Sequence, residues 1–118
     1  MKKMEFLENY QKIVEENKGA LCFVRLGVFY TVIGKQCKAL EKYIGLKRTC
    51  FSNGICKVGI PKTGIEKIKF KLNQMNICFV IYDFVENKKE KSYQKIYESS
   101  GTKSFEDKEE LSTCHICD

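Results

Sequence analysis

At 118 residues, 43% of them hydrophobic and including eight Phe and six Tyr, the chain has room and material for one core. Disorder of the whole chain is thereby excluded, and a second domain is not expected. The net charge of +6 is uneven: residues 1–101 carry 19 basic against 10 acidic groups, whereas residues 102–118 carry two against five.

In chain order, residues 4–17 place Phe6, Leu7, Tyr10, Ile13 and Val14 at three- and four-residue spacings, the pattern of a helix with one buried face. Ala20 to Leu26 is apolar apart from Arg25 and reads as a strand covered on both faces. Gly27 allows a tight turn into a second strand, Val28 to Ile33. A helix opened by Gly34 is expected to run to about Ile44, with Cys37, Leu40 and Ile44 on one side and Gly45 at its end. Leu46 to Phe51 and Ile55 to Ile60 flank Ser52-Asn53-Gly54, where Asn-Gly supplies the positive-φ residues of a hairpin. Pro61 and Thr63 introduce a third helix with Ile65, Ile68, Leu72 and Met75 on its apolar stripe and Lys62, Lys67, Lys69 and Lys71 off it. Ile77 to Val85 is a nearly all-apolar central strand interrupted by Asp83, and a further strand runs from Ser92 to Glu98. Residues 102–118 lack apolar periodicity and read as an acidic flexible tail. The expected fold is α+β: a single domain over residues 1–101 with a mixed sheet of about five or six strands flanked by three helices.

The basic body suits a polyanionic partner, since each neutralised phosphate releases condensed counterions. A coding bias toward Lys, Ile and Asn would give the same surplus, so charge alone decides nothing. No run approaches the ~18 apolar residues of a membrane-spanning helix. Glu8 and Asn9 interrupt the apolar stretch that a secretory signal needs after Lys2 and Lys3, so a cytoplasmic location without a membrane partner is expected. Cys22, Cys37, Cys50, Cys56 and Cys78 sit among apolar neighbours, as reduced thiols used for their small bulk do.

Catalytic chemistry is poorly supplied. The one histidine, His115, lies in the tail, and the body's Asp83 and Glu66 form no carboxylate pair, so neither a nucleophilic nor a nuclease site is expected. Cys114, His115 and Cys117 are half a zinc ligand set; completing it would take the same tail of another subunit, or Cys50 and Cys56, whose six-residue spacing is not that of a zinc knuckle. The reading is a non-enzyme with no cofactor and no metal.

Three collinear segments carry a family resemblance. Leu21-Cys22-Phe23-Val24-Arg25-Leu26-Gly27-Val28-Phe29-Tyr30 resembles the first strand of the N-terminal mismatch-recognition domain of MutS and its Gly-Asp-Phe-Tyr-Glu turn. Leu46-Lys47-Arg48 is similar to that family's Leu-Thr-Lys-Arg strand end, and Val58-Gly59-Ile60-Pro61 to its Ala-Gly-Ile-Pro helix start. Asn76 to Asp83, followed by Tyr93-Gln94-Lys95-Ile96-Tyr97, is similar to the domain's closing strands. There is no Gly-rich loop ending in Gly-Lys-Ser/Thr, so the family's ATPase is not encoded in these residues.

In the family this domain wedges an aromatic ring beside a mispair from the minor groove, and a glutamate two residues later hydrogen-bonds a displaced base. Carried over by position, the resemblance implies that Phe29 is the wedge, with Tyr30 behind it. Thr31 stands at the glutamate position and Val28 at the aspartate position. Lys47, Arg48 and Lys62 become phosphate contacts. A threonine cannot present an acidic acceptor to a base edge, so looser binding of distorted or mispaired DNA or RNA–DNA duplex is implied. A reader without a motor implies a separate enzyme partner, such as a repair protein or the reverse transcriptase of a retroelement. The alternative is a protein-interaction module that keeps the fold, with Phe29 packed in the core.

Overall fold

The structure, a computed structural model, describes residues 3–104 apart from 53, 87, 89 and 90. Helix α1 (Lys3–Glu16) is followed by strands β1 (Leu21–Leu26) and β2 (Phe29–Ile33), helix α2 (Gln36–Ile44) and strands β3 (Thr49–Ser52) and β4 (Ile55–Pro61). A 3-10 turn (Lys62–Gly64) leads into helix α3 (Ile65–Gln74), and strands β5 (Phe79–Glu86) and β6 (Lys91–Glu98) complete the order. Six strands form one mixed sheet in the order β3-β4-β2-β1-β5-β6. Only β1 and β5 pair in parallel; the other neighbours are antiparallel.

Two clusters sandwich the sheet, because strand residues alternate faces. On one face α1 packs Phe6, Tyr10 and Ile13 against Cys22, Val24, Ile33, Val80 and Tyr82. On the other, Leu40 of α2 and Ile65, Ile68 and Leu72 of α3 cover Phe23, Tyr30, Val32, Val58, Ile60, Phe79 and Ile81. The α+β class, the six strands and the three helices are those read from periodicity.

Three element bounds differ from the sequence reading for physical reasons. After Gly45 caps α2 with φ 79, Leu46 packs against the helix-covered cluster, so β3 begins at Thr49 rather than Leu46. Asn76 is left-handed at φ 58, and Ile77 bridges Lys103, so β5 starts at Phe79 rather than Ile77. Lys62 to Gly64 wind as a 3-10 turn before α3 begins. Cys22, Cys37 and Cys56 are buried thiols and Cys78 a half-buried one, as expected, whereas Cys50 is exposed on β3 and disulfide-bonded, so it is not the reduced, packed thiol that its apolar neighbours suggested.

A single polar side chain closes one gap in the sheet. The β1–β2 ladder runs only from Val24↔Thr31 to Leu26↔Phe29, because the chain leaves β2 for α2 after Ile33. Ala20 and Cys22 therefore lack strand partners on that side. Gln36, at the start of α2, stands in for the missing strand: its Oε1 accepts from the Cys22 N–H at 2.9 Å and its Nε2 donates to the Ala20 carbonyl at 2.9 Å. The Tyr10 hydroxyl donates to the Cys22 carbonyl at 2.9 Å and lies 3.0 Å from the same Oε1. A buried amide is tolerated here because both its ends are used.

Among the described residues no helix is long and apolar enough to cross a membrane, and no group of three or more His, Cys, Asp or Glu is placed to hold a metal. The tail reading and the ligands Cys114, His115 and Cys117 lie outside the described residues.

Candidate nucleic-acid interface

The β1–β2 turn is the centre of the site. Gly27, at φ 64, and Val28 form a two-residue turn between the paired residues Leu26 and Phe29, with the positive-φ glycine first, as in type II′ hairpins. A half-buried ionic group braces this turn from the α2/α3 face. Arg25 donates through Nε to the Gly27 carbonyl at 3.0 Å and through Nη1 to both Asp83 oxygens at 3.1 and 3.3 Å. The Tyr30 hydroxyl donates to Asp83 Oδ2 at 3.2 Å. Burial, and the Asp83 carboxylate beside it, push the Tyr30 pKa upward, so this phenol stays protonated and keeps donating.

Alternation then separates the site residues. Tyr30 is 3% exposed and points into the helix-covered cluster, while Phe29 points to the opposite face and is 43% exposed. That face is covered by α1 only in part, and the uncovered part holds a shallow depression lined by Leu26, Phe29, Thr31, Lys47, Thr49, Lys57 and Gly59. The Phe29 ring lies across Gly59 on β4, where a Cβ would meet it at 3.5 Å, an ordinary van der Waals distance. The ring is thus held from below and open above. Val28 beside it is 67% exposed.

The basic residues divide the same way. Lys47 and Lys57 line the depression, and none of its lining residues is acidic. Lys62 is brought to the turn by its backbone, whose N–H donates to the Val28 carbonyl at 3.1 Å, and its side chain is exposed. Arg48 is one residue from Lys47 and lies on the other side, with Nε 2.9 Å from Glu41 of α2 and Nη1 3.9 Å from the Cys56 sulfur. It is held by the helix layer, away from Phe29. Thr31 is in the depression at 2% exposure, so its hydroxyl is floor rather than rim.

The structure therefore brings together Phe29, Thr31 and Lys47, ties Lys62 to the turn through its backbone, and sets Tyr30 and Arg48 on the opposite face. Lys57 was missed by the sequence reading. The signal was present: in β4, Ile55, Lys57 and Gly59 alternate with the buried Cys56, Val58 and Ile60. The expectation that Phe29 packs in the core, part of the protein-interaction alternative, does not describe a ring this exposed.

Comparison with known families places the match where the sequence resemblance pointed. The family profile described as MutS domain I matches residues 4–108, nearly the whole chain. No curated protein matches the chain.

Proposed function

Since the chain belongs to the MutS domain I family, we propose that it binds duplex nucleic acid through the open part of the α1-side sheet face, without catalysing a reaction. The observation that carries this reading is Phe29: an aromatic ring at the tip of a braced hairpin, half exposed, lying across Gly59, with Lys47 and Lys57 lining the depression beside it and Lys62 tied to the turn through its backbone. Its roles follow from chemistry. The ring enters a base step that a mispair or bulge has already loosened, where unstacking costs least, and the lysines neutralise the flanking phosphates.

Thr31 narrows the reading. Being neutral and buried, it offers no carboxylate to a base edge, and the depression contains no acidic substitute. Preference then rests on how easily the duplex kinks, which favours loosened steps in general over any one mispair, in DNA or in RNA–DNA hybrid. The enzyme it serves is a separate protein, a repair protein or a reverse transcriptase.

The test is direct binding of matched, single-mispair, one-base-bulge and hybrid duplexes, alongside single strands, at two salt concentrations. Bulged and mispaired duplexes should bind more tightly than the matched one, with affinity falling steeply as salt rises. Absence of any duplex binding at low salt would refute the proposal. Equal affinity for matched and bulged duplexes would reduce the site to a charged surface.

A further inference from the structure

The charge of the chain is concentrated more sharply than its total suggests. Residues 35–76 hold ten basic groups and only Glu41 and Glu66 as acids, a surplus of eight. Both acids are already engaged, Glu41 with Arg48 and Glu66 with Lys69. Part of this surplus lies on the helix layer, on the face away from Phe29. Lys69 packs over the Tyr97 ring at 4.0 Å and Asn73 donates to the Tyr97 hydroxyl, which fixes that flank of α3 toward β6. Lys67 and Lys71, each two residues from Lys69, are exposed on the flank turned away from β6. α2 covers the same sheet face on that side and exposes Lys42.

The chain leaves the described domain beside this surface. The Lys103 N–H donates to the Asn76 carbonyl at 2.9 Å and its own carbonyl accepts from Cys78 at 3.0 Å, so the exit is clamped to the start of β5. From there the Lys103 ammonium lies 5.3 Å from the centre of the Tyr43 ring of α2, and that of Lys42 lies 6.0 Å from the same ring. Two like charges thus share one aromatic ring. Glu106, Asp107, Glu109 and Glu110 follow within the next seven residues, and residues 105–118 hold five acids against one lysine.

We propose that the acidic run Glu106, Asp107, Glu109 and Glu110 docks on the lysine flank formed by Lys42, Lys67 and Lys71, and so occupies that surface against other polyanions. Length and charge agree with this occupant. A run placed two to six residues beyond Ser104 reaches about 7–20 Å, enough to cover α2 and a neighbouring helix at the usual 8–10 Å spacing. Four carboxylates meet a surface whose own acids are spent.

Zero-length carbodiimide coupling of the full chain tests this, because it joins a carboxylate to an ammonium only in contact. At low salt, peptides from the monomer should link residues 106–110 to Lys42, Lys67 or Lys71, and these links should disappear at about 1 M salt, where the screening length is about 3 Å. Links formed as often to Lys12 and Lys95 would overturn the proposal. The full chain with E106Q, D107N, E109Q and E110Q gives a second readout: its amide NMR signals should shift at residues 40–44 and 66–72 and stay fixed along α1. Shifts confined to residues 102–118 would overturn it. Neither readout uses nucleic acid, so the outcome is independent of the duplex-binding reading.

Discussion

Phe29→Ala separates binding from folding, and the structure sets both magnitudes. The ring is 43% exposed, so somewhat more than half of it is removed from water. Full burial of a Phe side chain contributes about 1.5–3 kcal/mol, and the hidden share therefore gives an expected stability loss of about 1–1.5 kcal/mol. A stacked base is worth about 1–3 kcal/mol, which is about 5- to 150-fold in affinity. Urea unfolding should accordingly show a small shift in midpoint at unchanged slope, while fluorescence anisotropy with a one-base-bulge duplex shows a loss of at least about fivefold. Phe29→Leu sharpens the comparison, since it keeps apolar volume on Gly59 and removes the π-face. Its stability should be near that of the parent and its bulge affinity near that of Phe29→Ala. Bulge affinity unchanged in both variants, with folding intact, would refute the stacking role.

Other substitutions test the rest of the frame. Lys57→Gln should weaken all duplexes about equally and lower the slope of log affinity against log salt by about one, whereas Arg48→Gln should leave that slope unchanged, because Arg48 is held by Glu41 on the other face. Gln36→Leu leaves the Cys22 N–H buried without its partner and the Ala20 carbonyl with only the weak Cys22 thiol donor at 3.5 Å, for an expected cost of about 1–3 kcal/mol or more in chemical denaturation; a loss under about 1 kcal/mol would mean the amide is replaceable. Gly101→Ala should unfold the exit segment or the domain, since its Cβ would collide with the Ile77 carbonyl, while Gly64→Ala, with its nearest neighbour at 3.8 Å, should be tolerated by the same thermal-melt measure. Burial raises the Cys22 thiol pKa from 9.0 to about 12. The folded state thus keeps the thiol neutral while the unfolded chain ionises, so this contribution is complete below pH 9 and is lost between pH 9 and about 12. Cys22→Ala should flatten the alkaline fall in stability over that window.

Much of the fold was legible because burial imprints period on sequence. Phe6, Tyr10 and Ile13 marked α1, Ile65, Ile68 and Leu72 marked α3, and the glycine after Ile44 marked the end of α2. The turn at Gly27 and the aromatic after it were equally plain, since only a few residue types make a two-residue hairpin. Gln36 was not legible as a structural partner, although a polar residue on the apolar side of α2, beside Cys37 and Leu40, was its trace.

The sequence by itself determined the class, the six strands and three helices, the position of Phe29 and the separation of a basic body from an acidic end. These depend on local period and on charge, which neighbouring residues carry in full. Only the tertiary structure decided which side each candidate faces. Lys47 and Arg48 are adjacent in sequence and on opposite sides of the sheet, as are Phe29 and Tyr30. The parity of a strand fixes that neighbours diverge, but which parity meets α1 and which meets α2 and α3 is set by long-range pairing. The parallel β1–β5 contact and the crossover that places β4 beside β2 exist only once distant segments have met.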